Sequence, residues 1–143
     1  MNTKVAAENH AKENPGRLRW RRIIGSAVRL DIALGFVVVL QGLIFGIGRG
    51  VLSGRESFLL ANEFFGLAFL FGWTIVQKVE SRFVAHGALV GVSSIALYIP
   101  FVVILVPGGV PALAESYATA SFILMNALRI LGSTAGSFCA SRR

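Results

Sequence analysis

The sequence predicts an all-α integral membrane protein, a four-helix transmembrane bundle with short loops. Hydrophobic residues make up 55% of its 143 positions and charged residues 15%, where soluble domains carry about 25% charged residues. Apolar runs of about 18 residues or more recur, long enough for a helix to cross the hydrocarbon core of a bilayer. The links between them, "RGVLSGRE", "QKVESR" and "PGGVP", are short, which makes consecutive helices antiparallel neighbours. A soluble chain of this length has no core large enough to hide four such runs.

Residues 1–22 read as a polar, basic tail and residues 23–143 as the bundle. The tail is broken at Pro15-Gly16 and ends in "RLRWRR". Its first part is expected to be loosely ordered. The basic end is a juxtamembrane anchor, with Trp20 at headgroup level and Arg17, Arg19, Arg21 and Arg22 near anionic lipid. A basic stretch before an apolar run also resembles a secretory signal. The run over 23–48 exceeds a secretory apolar core, however, and no small-residue cleavage site follows, so it reads as a retained first span.

The second span is expected at 57–76, the third at 83–106 and the fourth at 112–131. Pro107 and Pro111 bracket Gly108 and Gly109, a turn and helix-stop signal. Pro100 lies inside the third span, where it removes one backbone hydrogen bond and bends the helix. The ends of the second and fourth spans, "GWTIVQKVESR" and "GSTAGSFCASR", both leave toward a basic end. Any four-span protein with both termini on one side does this, so no internal repeat is read from it.

The formal net charge of +7 does not point to nucleic acid. The basic residues sit at the ends of apolar runs, and no basic face is interleaved with stacking aromatics. The N-terminal cluster, Lys78 with Arg82, and Arg142 with Arg143 all fall on one side. The other side holds Arg49, Arg55 and Glu56, and the third loop has no basic residue. By the positive-inside rule both termini are cytoplasmic, with a bacterial inner membrane the expected location.

Small residues mark the packing faces. Gly42, Gly46 and Gly50 repeat at four-residue spacing, with Gly35 on the same helix. Gly87 and Gly91 do so in the third span, and Gly132 and Gly136 at the end of the fourth. Such faces let helix backbones approach closely in lipid, either within one bundle or between two copies.

Ionisable groups within spans are expensive and often functional. Arg29 and Asp31 lie two residues apart, about 200° around a helix, so they face one another poorly. Arg29 can snorkel to the headgroups. Asp31 is too short for that, and Arg129, expected at matching depth near the cytoplasmic boundary, is its natural partner. Their pair would lock the first span against the fourth. Asn62 and Glu63 form a candidate polar site near the outer face, where Glu63 is expected to hydrogen-bond with Asn62, Arg49 or Arg55. The midplane is expected to hold Gln41, Ser93, Ser94 and Thr119 to Ser121, all uncharged. A proton or ion carrier usually keeps an ionisable group or a broken helix there.

No catalytic, cofactor-binding or metal-binding residues are expected. Gly-x-Ser-x-Gly, His-Glu-x-x-His and phosphate-cradling motifs are missing from the sequence. Cys139 is the sole cysteine, which rules out an internal disulfide and a zinc site and leaves a thiol open to lipidation or without special role. His86 is the sole histidine of the bundle and His10 lies in the tail, too few for facing haem ligands. His86 reads as an interfacial or hydrogen-bonded residue.

The functional expectation is a non-enzymatic membrane protein acting through helix contacts, such as an accessory, assembly or interaction subunit. Its partners would be the lipid bilayer, with anionic headgroups at the basic face, and a homo-oligomer or larger membrane complex. The alternative is an oligomeric transporter or channel for a small solute or ion, with Asn62, Glu63 and Gln41 lining a shared interior.

Reporter fusions test the expected topology. Fusions at Asn9, Val79 and Arg143 should read cytoplasmic, and those at Ser53 and Gly109 external. Fusions at Ser53 and Val79 that report one compartment would contradict four spans.

Overall fold

The computed structural model describes residues 18–45, 54–77, 79, 82–105, 110–111, 114 and 119–143. Within them lie four long helices: α1 (Trp20–Phe45), α2 (Gly54–Val76), α3 (Phe83–Leu105) and α4 (Ala120–Ala140). Each is long and apolar enough to cross a membrane, as a multi-pass helical membrane protein requires.

The width of each buried face tells where a helix sits. On α1 the buried positions are Ile23, Ala27, Leu30, Leu34 and Gln41, one narrow stripe of the kind that packs into a single seam. On α4 they come in adjacent pairs, Met125 with Asn126, Gly132 with Ser133, Gly136 with Ser137. Neighbouring residues point about 100° apart on a helix, so each pair serves two partners. Helix α4 accordingly packs against both α2 and α3, and α1 packs against α3 and α2 from the other side. Among the described residues no Cα atom of α1 comes within 8 Å of one in α4. These two helices occupy opposite corners.

Small residues set the spacing around α4. A Cβ at Gly136 would overlap the Phe69 carbonyl of α2, and one at Gly72 would overlap the Ser133 carbonyl of α4. At Gly132 it would lie 2.5 Å from the Phe65 carbonyl oxygen. On the α3 side a Cβ at Gly91 would fall 2.7 Å from the Ile130 Cα, and one at Gly87 would overlap the Ser137 hydroxyl. Ser137 Oγ donates to the Gly72 carbonyl at 2.8 Å, joining α4 to α2. Gly87, Gly91, Gly132 and Gly136 are thus spent inside this bundle. Gly42 is half-buried and Gly35 exposed, while Gly46 and Gly50 lie outside the described residues.

The fourth helix departs from the expected span of 112–131. It runs from Ala120 to Ala140, because "GSTAGSFCA", weakly apolar by hydropathy, hides its own polarity. Ser133 Oγ donates to the Arg129 carbonyl at 2.8 Å and Thr134 Oγ1 to the Ile130 carbonyl at 2.6 Å, satisfying the hydroxyls within the helix. This shift moves Arg129 from near one end of the helix to near its middle. Helix α1 likewise begins at Trp20 rather than Ile23, so Arg21 and Arg22 fall in its first turn. Helix α3 continues through Pro100.

Close approach makes a clear prediction. Gly136→Val or Gly72→Val should lower unfolding stability in mild detergent by about 1–3 kcal/mol or more, since the added methyls meet backbone. Gly35→Ala, where a Cβ has nothing within 4 Å, should stay within about 0.5 kcal/mol of the parent.

Candidate functional site

Helix α4 turns Met125, Asn126 and Arg129 inward on one face, and Arg129 is long enough to reach across the bundle. Its Nη1 donates to Asp31 Oδ1 of α1 at 3.3 Å and to Ser94 Oγ of α3 at 3.3 Å. Ser94 Oγ donates in turn to the same carboxylate oxygen at 2.5 Å. The guanidinium carbon lies 5.0 Å from the ring centroid of Phe64 on α2 and 5.4 Å from that of Tyr98 on α3, within cation–π range of both. One side chain therefore touches every other helix.

The structure brings Asp31 and Arg129 together as side chains while keeping their helices apart. The expected direct lock of α1 on α4 is replaced by a bridge through the interior, in which Ser94 is the third member. The side chain of Arg129 is 5% exposed and that of Asp31 20%. Removing either charge from water costs several kcal/mol, offset only by a close partner with further hydrogen bonds. Asp31, Ser94 and Arg129 all lie near the middle of their helices. Arg129 comes to mid-helix because α4 begins eight residues later and ends nine residues later than the expected span.

Asn62 and Glu63 do not share a site. They are adjacent and so point about 100° apart. Asn62 is exposed and donates from Nδ2 to the Phe58 carbonyl of its own helix at 2.8 Å. Glu63 turns inward and accepts from Gln41 Nε2 of α1. Its partner is thus Gln41 rather than Asn62; Arg49 and the Arg55 side chain lie outside the described residues.

His86 is buried at the opposite end of the bundle. Its Nε2 accepts from the Arg19 backbone N–H at 3.2 Å. An amide can only donate, so the ring proton sits on Nδ1, which donates to the Arg82 carbonyl at 2.9 Å. Arg82 has a φ of 52°, a left-handed conformation that costs a non-glycine residue about 1–2 kcal/mol. The His86 bond holds that turn and ties the start of α3 to the start of α1. Nearby, the Arg143 guanidinium carbon lies 4.6 Å from the Trp73 ring centroid, which joins the end of α4 to the end of α2. These four helix ends, rich in arginine, form one end of the bundle.

Cys139 is a free, exposed thiol. Among the described residues no three His, Cys, Asp or Glu side chains gather as a metal site. Ser94, Phe64, Tyr98, Ser133, Ser137 and Gly72 are the contributors that sequence reasoning did not single out for a role. The adjacent repeats of glycine and serine in "GSTAGS" were a visible signal for two of them. Comparison of the chain with protein families, curated proteins and solved structures finds no match.

A double-mutant cycle measures the central bridge. Asp31→Ala and Arg129→Ala should each cost about 3 kcal/mol, because each leaves a buried charge without its counter-ion. The double substitution should cost less than the sum by about 0.5–3 kcal/mol. Additive losses in detergent unfolding would show that the two groups do not interact.

Proposed function

We propose that this chain is a non-enzymatic, multi-pass membrane subunit that acts through helix contacts, as an accessory or assembly component of a homo-oligomer or larger complex. The observation that carries this reading is the use made of Arg129. Its charge is engaged by side chains from α1, α2 and α3 and is therefore spent on holding the bundle in one arrangement. A transport route needs its intramembrane charge to meet water and cargo. The glycine and serine faces around α4 support the same reading, since they close the helices on one another.

The arginine-rich end supports a cytoplasmic placement of both termini and, with it, a bacterial inner membrane. Broad apolar surface remains exposed on α1, including Ile32, Phe36, Val39 and Leu43, available to lipid or to another membrane helix.

A second reading, an oligomeric transporter of a small solute or ion, draws on one observation. Asp31 is a carboxylate near mid-helix that keeps 20% of its side chain exposed, as a cation- or proton-binding group would.

Two measurements separate these readings. Purification from native membranes in mild detergent should recover a defined set of membrane partners or a homo-oligomer, and Glu63→Gln should change that recovery or the stability alone. Reconstituted vesicles carrying the parent, Asp31→Asn or Glu63→Gln should show equal leak to protons and small cations. A reproducible flux that depends on Asp31 or Glu63 would replace the subunit reading with the transporter.

A further inference from the structure

Charged side chains inside membrane spans almost always turn toward the protein interior. Asp31 and Arg129 obey this rule, and Arg29 does not. Arg29 lies on the exposed side of α1, well inside the span, and among the described residues no acidic side chain pairs with it. Its surroundings on that face are specific. Arg22 stands seven residues earlier and is also exposed. Seven residues make 700°, so the two arginines project within about 20° of one another.

Between them the helix is small. Gly25 has nothing within 4 Å of where a Cβ would lie, and Ser26, half-buried, supplies a hydroxyl beside it. The two arginine Cα atoms are about 10 Å apart along the axis, a spacing that admits one phosphate between the guanidinium groups. Helical side chains lean toward the N-terminus, which carries the Arg29 guanidinium up toward the arginine-rich end. Below Arg29 the same stripe continues as Ile32, Phe36 and Leu43, all exposed. The face is thus basic at the top, open in the middle and apolar beneath, which is the polarity of a phospholipid standing upright in a leaflet.

We infer that the outer face of α1 binds an anionic phospholipid, its phosphate held between Arg22 and Arg29 over Gly25 and Ser26, its acyl chains along Ile32, Phe36 and Leu43. Guanidinium forks match phosphate oxygens in paired hydrogen bonds, and the lipid supplies a counter-charge that none of the described residues gives Arg29. This site does not depend on whether the bundle serves as an assembly subunit or a transporter.

The test uses the full chain in phosphatidylcholine vesicles and compares spin-labelled phosphatidylglycerol with spin-labelled phosphatidylcholine at the protein surface. The parent should prefer phosphatidylglycerol. Arg29→Gln and Arg22→Gln should each lower that preference about fivefold, the factor equivalent to about 1 kcal/mol per arginine near an anionic surface. Arg29→Lys should keep most of it. Arg142→Gln removes the same charge from another corner of that end and should leave the preference nearly unchanged. An unchanged preference in Arg29→Gln, or an equal loss in Arg142→Gln, would overturn the site in favour of diffuse attraction. Equal destabilisation of Arg29→Gln with and without phosphatidylglycerol would overturn it in favour of a structural arginine. Cross-linking from position 29 to a carboxylate of a second copy or another protein would overturn it in favour of a protein partner.

Discussion

A guanidinium cannot be left alone in the interior of a helical bundle, and much of this structure follows from the presence of Arg129. Its desolvation is offset only if a counter-ion, hydrogen-bond acceptors and polarisable rings come within reach at once. No single neighbouring helix supplies all of these. Asp31 comes from α1, Phe64 from α2, Ser94 and Tyr98 from α3. Satisfying one side chain therefore sets the rotation of three helices about their own axes. It also explains how α1, which makes no close backbone approach to α4, is still tied to it.

The bridge needs the helices close, and the small residues allow that. On α4 the glycines at 132 and 136 admit the α2 backbone at Phe65 and Phe69, while the serines one position later meet the glycines of α3. In lipid there is no hydrophobic drive between helices, so dispersion at short distance and hydrogen bonds such as Ser137 to Gly72 hold the contact. Serine is hardly larger than alanine, and its hydroxyl adds a bond that alanine cannot make: Ser137 donates across to the Gly72 carbonyl, while Ser133 satisfies itself on the Arg129 carbonyl of its own helix. Tight packing around Ser133 also keeps Arg129 dry, which strengthens the very electrostatics that position it.

The two ends of the bundle are finished by different means. At the arginine-rich end His86 links the starts of the parallel helices α1 and α3, and Arg143 stacks on Trp73 between the parallel helices α2 and α4. Toward the other end the Gln41–Glu63 contact joins antiparallel α1 and α2. Each is a long-range contact between helices placed side by side by the Arg129 cluster.

Hydropathy and run length alone made the membrane character and the number of helices legible, because a bilayer demands about twenty apolar residues per helix whatever they pack against. The candidacy of Asp31 and Arg129 was legible too, since an intramembrane charge must find a partner. The end of α4 was not, because the hydroxyls of Ser133 and Thr134 count as polar in a sequence and cease to be so once bonded to their own helix. With α4 misplaced, the position of Arg129 along its helix was misplaced as well. Ser94 was equally hidden. Nothing in "VSSIAL" tells which serine points inward until α3 lies parallel to α1 with Ser94 against Asp31. Glu63 turned to Gln41 instead of Asn62 for a similar reason, as adjacent residues diverge on a helix and the nearer donor belongs to another element. The sequence by itself determined how many segments are long and apolar enough to leave water. Tertiary structure alone decided which polar groups share an interior, because rotation and offset between helices come from packing and not from periodicity within any one of them.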